Sequence, residues 1–407
     1  MSTPQPAVEK SLRSRLFLPA LFLGAFLANT FAFFFSTAMV NVASSLNVTV
    51  GTASQLATGS IFAGLIFGLV MGGLAVRFKH KSLLLVGVAI YGAGTLGSFF
   101  APNFAFLLFF SIFSGTGTAM IDIIALALIG DSLPLEKKGM AVGLIIGAAF
   151  FASLVMPQVT SVIVNAAGWR SVLLWFILPL SVVSLLFGFL ILPSKPRQEQ
   201  AAKKPQYMEA FKQILTNKSA LTCQVGTTLM NLSFCVGIYS VSFLILYFNA
   251  SLSTAAIFAT IASAMGVLGS IVGGRLIKRI GRKPLTVVTG VIEGIFAILI
   301  AFMPNALASA AMWMVSAAFA SAAGAALVSL SLEQVPGFRG TMMSLNVSFR
   351  YIGLIVGLTI SGLLLNLYAN NFQILYVMFG VAAVASAAVV FLFAKDPTKS
   401  QLLPTAN

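Results

Sequence analysis

The sequence predicts an all-α membrane protein with twelve transmembrane helices in two pseudo-symmetric six-helix bundles. Of the 407 residues, 59% are hydrophobic and only 8% are charged. A soluble domain carries about 25% charged residues, so this chain has too few charges to cover a surface in water. A lipid-facing surface needs few charges, but lipid requires every backbone N–H and C=O group to be paired internally. The apolar stretches are continuous rather than alternating, which indicates helices.

Twelve apolar stretches are long enough to cross a bilayer. A helix needs about 20 apolar residues to span about 30 Å of hydrocarbon. The first stretch is too long for the core of a signal peptide, so it is kept as helix 1. Numbered 1 to 12 in chain order, the predicted helices are 16–40, 52–76, 83–101, 104–130, 140–164, 171–193, 219–248, 252–274, 284–303, 306–332, 341–366 and 370–394.

The basic residues concentrate in alternate loops. With the N-terminus inside, 22 of the 24 lysines and arginines fall in inside segments, and the other two are Arg170 and Arg350. This distribution follows the positive-inside rule. It predicts a multi-pass protein of the plasma (inner) membrane with both termini in the cytoplasm. The formal net charge of +15 then faces anionic membrane lipid, so lipids and not nucleic acids are the expected partners.

The chain repeats itself with an offset of 202 residues. Residues 72–84 read GGLAVRFKHKSLL, and residues 274–286 read GRLIKRIGRKPLT. The same offset carries Asp131 onto Glu333. Such a repeat predicts two copies of one structural unit. The predicted domains are an N-terminal bundle at 1–193, a basic cytoplasmic linker at 194–218 and a C-terminal bundle at 219–407.

The repeated loops resemble the signature of the major facilitator superfamily between helices 2 and 3 and between helices 8 and 9. In each copy, a lysine or valine stands where the family has an acid. The matching residues are Gly274, Leu276, Arg279, Gly281, Arg282 and Lys283 in the second copy and Gly72, Leu74, Arg77 and Lys81 in the first.

Helices 1 and 5 are most similar to the drug/proton antiporter branch of that family. Helix 1 reads VNVA at 40–43, and helix 5 retains Gly143, Gly147 and Pro157. The chain departs from that branch at Ser111, where an arginine is usual, and at Met156 and Thr160, where glycines are usual.

The resemblance implies a fold and an activity. It implies two bundles that rock around a central cavity lined by helices 1, 4, 7 and 10, with a substrate site near the middle of the membrane. The expected partners are a small-molecule substrate and protons, and the expected assembly is a monomer.

Three ionisable residues lie deep within predicted helices. Burial of a charge in hydrocarbon costs at least about 3 kcal/mol, so such residues are often functional. Asp122 on helix 4 is a candidate to bind a proton or a cationic solute. Arg350 on helix 11 is a candidate to bind an anionic group or to pair with Asp122, and Asn346 lies one turn before it. Helix 9 is expected to be peripheral, and the favoured interpretation of Glu293 on it is a side chain that is hydrogen-bonded within its own half or protonated.

Uncharged polar residues on the cavity helices suit an amphipathic or neutral organic solute. Asn29, Asn231 and Tyr239 are the main candidates among them. Scattered serines and threonines in membrane helices more often bond to backbone carbonyls, so they carry less weight.

Acids at the ends of helices 4 and 10 lie beside the basic loops. Asp131 and Glu333 are predicted to form ion pairs with Arg77, Lys81, Arg279 or Arg282 that close the inside face in one conformational state. With Gly72, Gly274, Gly281 and Lys283, these residues make up the predicted conformational motif. Several weak exposed pairs together can bias a two-state equilibrium.

The sequence does not predict an enzyme. It contains no Walker loop and no zinc motif, and its single histidine is His80, so neither a metal nor a cofactor is expected. The leading hypothesis is a secondary transporter that exports a small amphipathic organic solute by alternating access, coupled to protons. The alternatives are an uptake carrier or uniporter for a metabolite or organic anion, and a non-transporting receptor or lipid-moving protein on the same fold.

Overall fold

The computed structural model describes residues 5–133, 135–193, 212–214, 216–368 and 371–396. Within these residues, twelve helices are long and apolar enough to cross a membrane, which confirms the predicted fold class. The helices are Gln5–Ser45; Val50–Ala53 with Gln55–Arg77; His80–Phe100; Phe104–Ser132; Leu135–Ala167; Trp169–Val172 and Leu178–Ile191 around a π-helical Leu173–Ile177; Lys218–Ser233 with Val236–Phe248; Leu252–Ile280; Arg282–Ile300; Ala306–Leu332; Arg339–Leu367; and Phe372–Phe393.

Helix 7 is interrupted where the sequence predicts one continuous helix. Its first segment ends at Ser233 and its second begins at Val236. Across the interruption, the amides of Cys235, Gly237 and Ile238 donate to carbonyls three residues earlier, at 3.3, 3.2 and 3.0 Å. Such 3₁₀-type bonds tighten the chain locally, and a mid-helix stretch of them often marks a hinge.

The chain forms two compact units. The first comprises Met1–Val48 and Gln55–Glu199, and the second comprises Thr49–Ser54 and Gln200–Asn407. The short Thr49–Ser54 segment packs on helix 11, where the Thr49 hydroxyl donates to the side-chain oxygen of Asn366. Most of the predicted linker at 194–218 lies outside the described residues.

The repeat extends to the loops and caps of both units. Asn47 and Asn249 stand 202 positions apart, and both adopt left-handed backbone with φ of 53° and 54°. Asn103 and Asn305 are related by the same offset, and each caps the N-terminus of a helix with its side chain. Asparagine suits both roles, because its short side chain tolerates left-handed backbone and accepts from free amides at a helix start.

Glycines bring equivalent helices together in the two units. A Cβ added at Gly115 on helix 4 would lie 2.0 Å from the carbonyl oxygen of Ser60 on helix 2. A Cβ added at Gly269 on helix 8 would lie 2.0 Å from the carbonyl oxygen of Ala318 on helix 10. Small residues allow such close backbone approach, which provides the packing contacts that hold membrane helices together.

Candidate functional site

Asp122 lies in the first unit, where helix 4 meets helices 1 and 3. It is half-buried and close enough to Tyr91 on helix 3 to interact with it electrostatically. One turn earlier, the Thr118 hydroxyl donates to the carbonyl of Ala28 on helix 1 at 3.0 Å. Helix 4 therefore presents its single membrane acid beside a direct contact with helix 1.

Tyr91 joins helix 3 to helix 1. Its hydroxyl is fully buried, hydrogen-bonds the Thr30 hydroxyl at 2.9 Å and accepts the backbone N–H of Phe31 at 3.1 Å. The Tyr91 hydroxyl thus forms its hydrogen bonds within its own unit and joins helix 3 to helix 1.

Asn29 and Asn231 are a repeat-related pair. They stand 202 positions apart on helices 1 and 7, and both are half-buried. Each donates its Nδ2 at 2.8 Å to the carbonyl one turn earlier, Ala25 or Thr227. Within the described residues, the structure gives neither Oδ1 atom a hydrogen-bond partner, so each unit offers one amide oxygen at the same position.

Asn346 on helix 11 is buried and faces helix 7. Its Nδ2 donates to the Thr227 hydroxyl at 2.9 Å and to Gln224 Oε1 at 3.4 Å. The Thr228 hydroxyl adds a 3.2 Å bond to the carbonyl of Phe349. These contacts tie helix 11 to the first segment of helix 7.

Arg350 is placed differently from Asn346, although the two are one turn apart. Its side chain is exposed, and the guanidinium lies 5.9 Å from the centre of the Tyr351 ring. Asn346 is hydrogen-bonded to helix 7, whereas Arg350 is exposed, so the structure does not bring these two residues into one site.

Tyr239 is fully buried. Its hydroxyl donates to the carbonyl of Leu358 on helix 11 at 3.4 Å, and its ring stacks on Phe379 at 6.2 Å between centroids. Tyr239 therefore holds the second segment of helix 7 against helices 11 and 12, and its burial argues against direct contact with a solute.

Glu293 lies inside the second unit with 2% of its surface exposed. Its Oε1 accepts a 2.9 Å hydrogen bond from Ser233, the last residue of the first segment of helix 7. Within the described residues, its Oε2 is buried and has no hydrogen-bond partner. A peripheral helix thus directs its acid at the interruption in helix 7.

One repeat-related acid forms a polar contact at the basic end of each unit. Glu333 pairs with Arg282 at 3.5 Å, as the sequence predicts, and the Arg282 Nε also donates to the Ser329 hydroxyl. Asp131 is hydrogen-bonded at 2.7 Å to Nδ1 of His80, which was not among its predicted partners and which stands 202 positions before Arg282. The predicted role of these pairs in closing the inside face remains a prediction.

Lys81 and Lys283 perform the same structural task in the two units. The Lys81 ammonium donates to the carbonyl of Phe189 at the end of helix 6 and lies 5.4 Å from its ring. The Lys283 ammonium donates to the carbonyl of Ala394 after helix 12 and lies 5.7 Å from the ring of Phe391. A cation is favourable at the negative end of the helix dipole.

The other residues of the predicted motif mark the ends of helices 2 and 8. Arg77 lies in the last turn of helix 2 and Arg279 in the last turn of helix 8. Gly281 ends helix 8 with φ of 93°, a backbone conformation that favours glycine. Gly72 lies within helix 2, and a Cβ at Gly274 would meet no atom within 4 Å.

Sequence reasoning missed two residues of these arrangements, His80 and Ser233. The offset of 202 carries His80 onto Arg282 and Phe31 onto Ser233, so the repeat held a signal for both. Among the described residues, no group of three or more His, Cys, Asp or Glu side chains is arranged to hold a metal ion.

Comparison with known proteins identifies relatives across much of the chain. A Bacillus subtilis (strain 168) protein, the uncharacterized MFS-type transporter YcnB, is 28% identical over 184 residues, 45% of this chain and 39% of that protein. Lincomycin resistance protein LmrB of Listeria monocytogenes is 27% identical over 175 residues, 42% of this chain and 37% of that protein. The matched region thus spans less than half the length of either relative.

A solved structure shares the whole fold. A bacterial homologue of the human lysosomal transporter Spinster, in an inward-facing and occupied conformation, superposes with a TM-score of 0.80 at 18% identity, covering 99% of this chain and 100% of that one. The sequence profile described as Major Facilitator Superfamily matches residues 21–247 and 225–407. The chain therefore belongs to the major facilitator superfamily, a family of membrane transporters and not of enzymes.

Proposed function

We propose that this protein is a secondary transporter that moves a small amphipathic organic solute across the plasma membrane by alternating access, with proton-coupled export as the direction of transport. The observation that carries the proposal is the matched pair Asn29 and Asn231, one in each unit, each with an amide oxygen that has no partner among the described residues. Each unit, taken by itself, thus offers an amide oxygen that can accept a hydrogen bond from a solute.

Asp122 gives this proposed site its charge. A carboxyl group on helix 4, beside the contact between Thr118 and Ala28, can bind a proton or the cationic group of a solute but not both. Competition between the two for one carboxylate is a simple means of coupling export of a cation to entry of a proton. The resistance protein LmrB is a relative whose name fits export, which supports this direction.

A second candidate function is carriage of an organic anion. The observation in its favour is Arg350, an arginine in helix 11 that is exposed and that contacts an aromatic ring. A guanidinium binds a carboxylate through two parallel hydrogen bonds. In this case, Arg350 and not Asp122 would determine the charge of the solute.

The test is flux in proteoliposomes that contain the purified protein. Ethidium, lincomycin and benzoate serve as an amphipathic cation, a larger amine and an aromatic anion, each measured with and without a pH gradient. Proton-driven movement of the cations supports export of amphipathic solutes, and movement of benzoate alone supports the anion carrier. Binding without flux of any probe would contradict both candidates and favour a receptor role.

A further inference from the structure

The two units make the same contact between their first and third helices, but with different chemistry. In the first unit, Tyr91 on helix 3 accepts the amide of Phe31 on helix 1. In the second unit, Glu293 on helix 9 accepts the hydroxyl of Ser233 on helix 7. Both members of the second pair stand 202 positions after those of the first. A phenol thus joins one pair of helices and a carboxyl group the other.

The phenol of Tyr91 is fully hydrogen-bonded, whereas one oxygen of the Glu293 carboxyl group has no hydrogen-bond partner among the described residues. The Tyr91 hydroxyl has two partners, Thr30 and Phe31. Glu293 has Ser233 on Oε1, while its buried Oε2 has no partner among the described residues. If this contact served only to join two helices, the phenol of the first unit would do so at lower cost, because a buried polar atom without a partner is unfavourable.

Among the residues that the structure describes, the helices packed around Glu293 supply no counter-ion at its level. Helix 10 carries no titratable residue, helix 12 carries only Tyr376, and the basic residues of helices 8 and 9 lie at their shared end. Glu293 is eleven residues into helix 9, about 16 Å from that end. On helix 7, the Cys235 thiol donates towards Leu354 on helix 11 and the Tyr239 hydroxyl towards Leu358. A carboxylate here is uncompensated, so the neutral acid is the form that this site holds.

Helix 9 packs closely on helix 12 at Gly290 and Gly294, the glycines that flank Glu293 in the sequence. A Cβ at Gly294 would lie 2.6 Å from the carbonyl oxygen of Gly380, and one at Gly290 would lie 3.3 Å from the Cβ of Ala387. Packing this close leaves little free space between helices 9 and 12 at this level. The hydrogen bond of Glu293 runs to Ser233 on helix 7, so helix 7 is the side on which we look for access of water to the acid.

On that side lies the interruption, between two segments of helix 7 that are anchored separately. The first segment is held to helix 11, where a Cβ at Gly353 would lie 2.2 Å from the Thr228 carbonyl oxygen. The second segment is held to helix 12, where the Ser240 hydroxyl meets that of Tyr376 at 3.1 Å. Next to Ser233, Phe234 is 52% exposed, so the surface is one residue away from the bond to Glu293.

We propose that Glu293 is a proton-carrying site and that the hinge at Ser233–Cys235 in helix 7 controls its access to water. With the hinge as in this structure, the carboxylic acid keeps its proton. When the hinge opens, water reaches the acid, the O–H bond on Oε2 breaks, the proton passes to water, and the carboxylate keeps the bond from Ser233. This proposal rests on the proposed function, in which transport is coupled to protons, and it assigns a second proton site outside the one that contacts the solute.

Infrared difference spectroscopy tests this directly and needs no solute. Reconstituted wild-type protein is stepped from acidic to alkaline pH, and the carbonyl band of protonated carboxyl groups is recorded. We expect a band that disappears on the step in wild type and in Asp122→Asn, is absent at all pH values in Glu293→Gln, and returns shifted in Glu293→Asp. Tyr91→Phe is the matched control in the other unit and should leave the band unchanged.

The outcomes separate this inference from the proposed function. A band assigned to Glu293 that stays through the step, or difference spectra that are the same for wild type and Glu293→Gln, would overturn the inference even if flux is coupled to protons. A pH-dependent Glu293 band supports the inference even if none of the probe solutes moves. If Glu293→Gln misfolds, Glu293→Asp alone decides, because a shifted band supports the assignment and an unshifted one removes it.

Discussion

Ser233 donates a hydrogen bond from its hydroxyl to Glu293 across 2.9 Å, and these two residues stand 202 positions after Phe31 and Tyr91, which are joined by a bond from the Phe31 backbone N–H. The repeat has thus preserved a contact while its chemistry changed from a neutral phenol to an acid. Of the three ionisable residues predicted within the membrane, only Glu293 corresponds to another ionisable residue in the other half, Tyr91. Asp122 corresponds to Gly324, and Arg350 corresponds to Ala148. We therefore expect the charged residues that depart from the repeat to carry proton and charge coupling, whereas Asn29 and Asn231, which follow it, contact the solute.

The contact between Ser233 and Glu293 should contribute modestly to stability. Ser233→Ala removes the donor, and we expect it to lower the free energy of unfolding by about 1 kcal/mol, within the range measured for hydrogen bonds between membrane helices. Glu293→Gln should cost less, since the amide oxygen still accepts from Ser233. Thermal unfolding in detergent measures both variants. Equal stability of wild type and Ser233→Ala would show that the bond contributes nothing.

Asp122 should couple flux to the pH gradient. Asp122→Asn imitates only the protonated acid, so we expect it to abolish accumulation against a gradient while downhill exchange continues. Asp122→Glu should keep partial coupling with a shifted pH dependence of flux. The measurement is pH-dependent flux by purified protein of equal thermal stability. Wild-type coupling in Asp122→Asn would remove this residue from the mechanism.

The amide oxygens of Asn29 and Asn231 should contact the solute to a similar extent. We expect Asn29→Ala and Asn231→Ala each to weaken apparent solute affinity about tenfold, which corresponds to about 1.4 kcal/mol, with little change in thermal stability. Asn346→Ala is the informative contrast. Its amide bonds Gln224 and Thr227, so its loss should lower stability first. Unchanged affinity in either variant would remove that asparagine from the proposed contacts with the solute.

The ion pair of Arg282 and Glu333 should be restored by exchange of its charges. Each side chain is only about a quarter exposed, at 21% and 27%, and we expect Arg282→Glu alone to destabilise the protein by about 1 kcal/mol. Adding Glu333→Arg should recover most of that loss. Unfolding of the two single variants and the double variant, compared as a thermodynamic cycle, gives the coupling. No recovery in the double variant would mean that the bond of Arg282 to Ser329, and not its ion pair with Glu333, contributes the stability.

The orientation derived from the charge count can be tested by labelling. A cysteine placed at Val48 should react with an impermeant thiol reagent from outside intact cells, and one placed at Phe78 should not. The native Cys223 and Cys235 are buried, which keeps the background low. Reaction at position 78 and not at position 48 would reverse the topology, and with it the direction assigned to transport.

The sequence alone determined that this chain is a twelve-helix membrane protein, and it related the two halves residue by residue. Both follow from quantities that a linear sequence carries: length of apolar stretches, sidedness of charge, and a fixed offset. The repeat even related Lys81 to Lys283 and Asn29 to Asn231, and the structure gives each pair matching bonds.

Only the tertiary structure decided which helix each polar side chain faces. A helix that is apolar all round gives no periodic signal for its rotation about its own axis, so the sequence could not tell that Tyr239 is buried against helix 11 or that Asn346 faces helix 7 and not the site of Arg350. For the same reason, the sequence predicts a bond of Glu293 within its own half, which is confirmed, but not that its partner is Ser233. The packing of Gly294 on Gly380 fixes the rotation of helix 9 and thereby aims this acid at the hinge in helix 7.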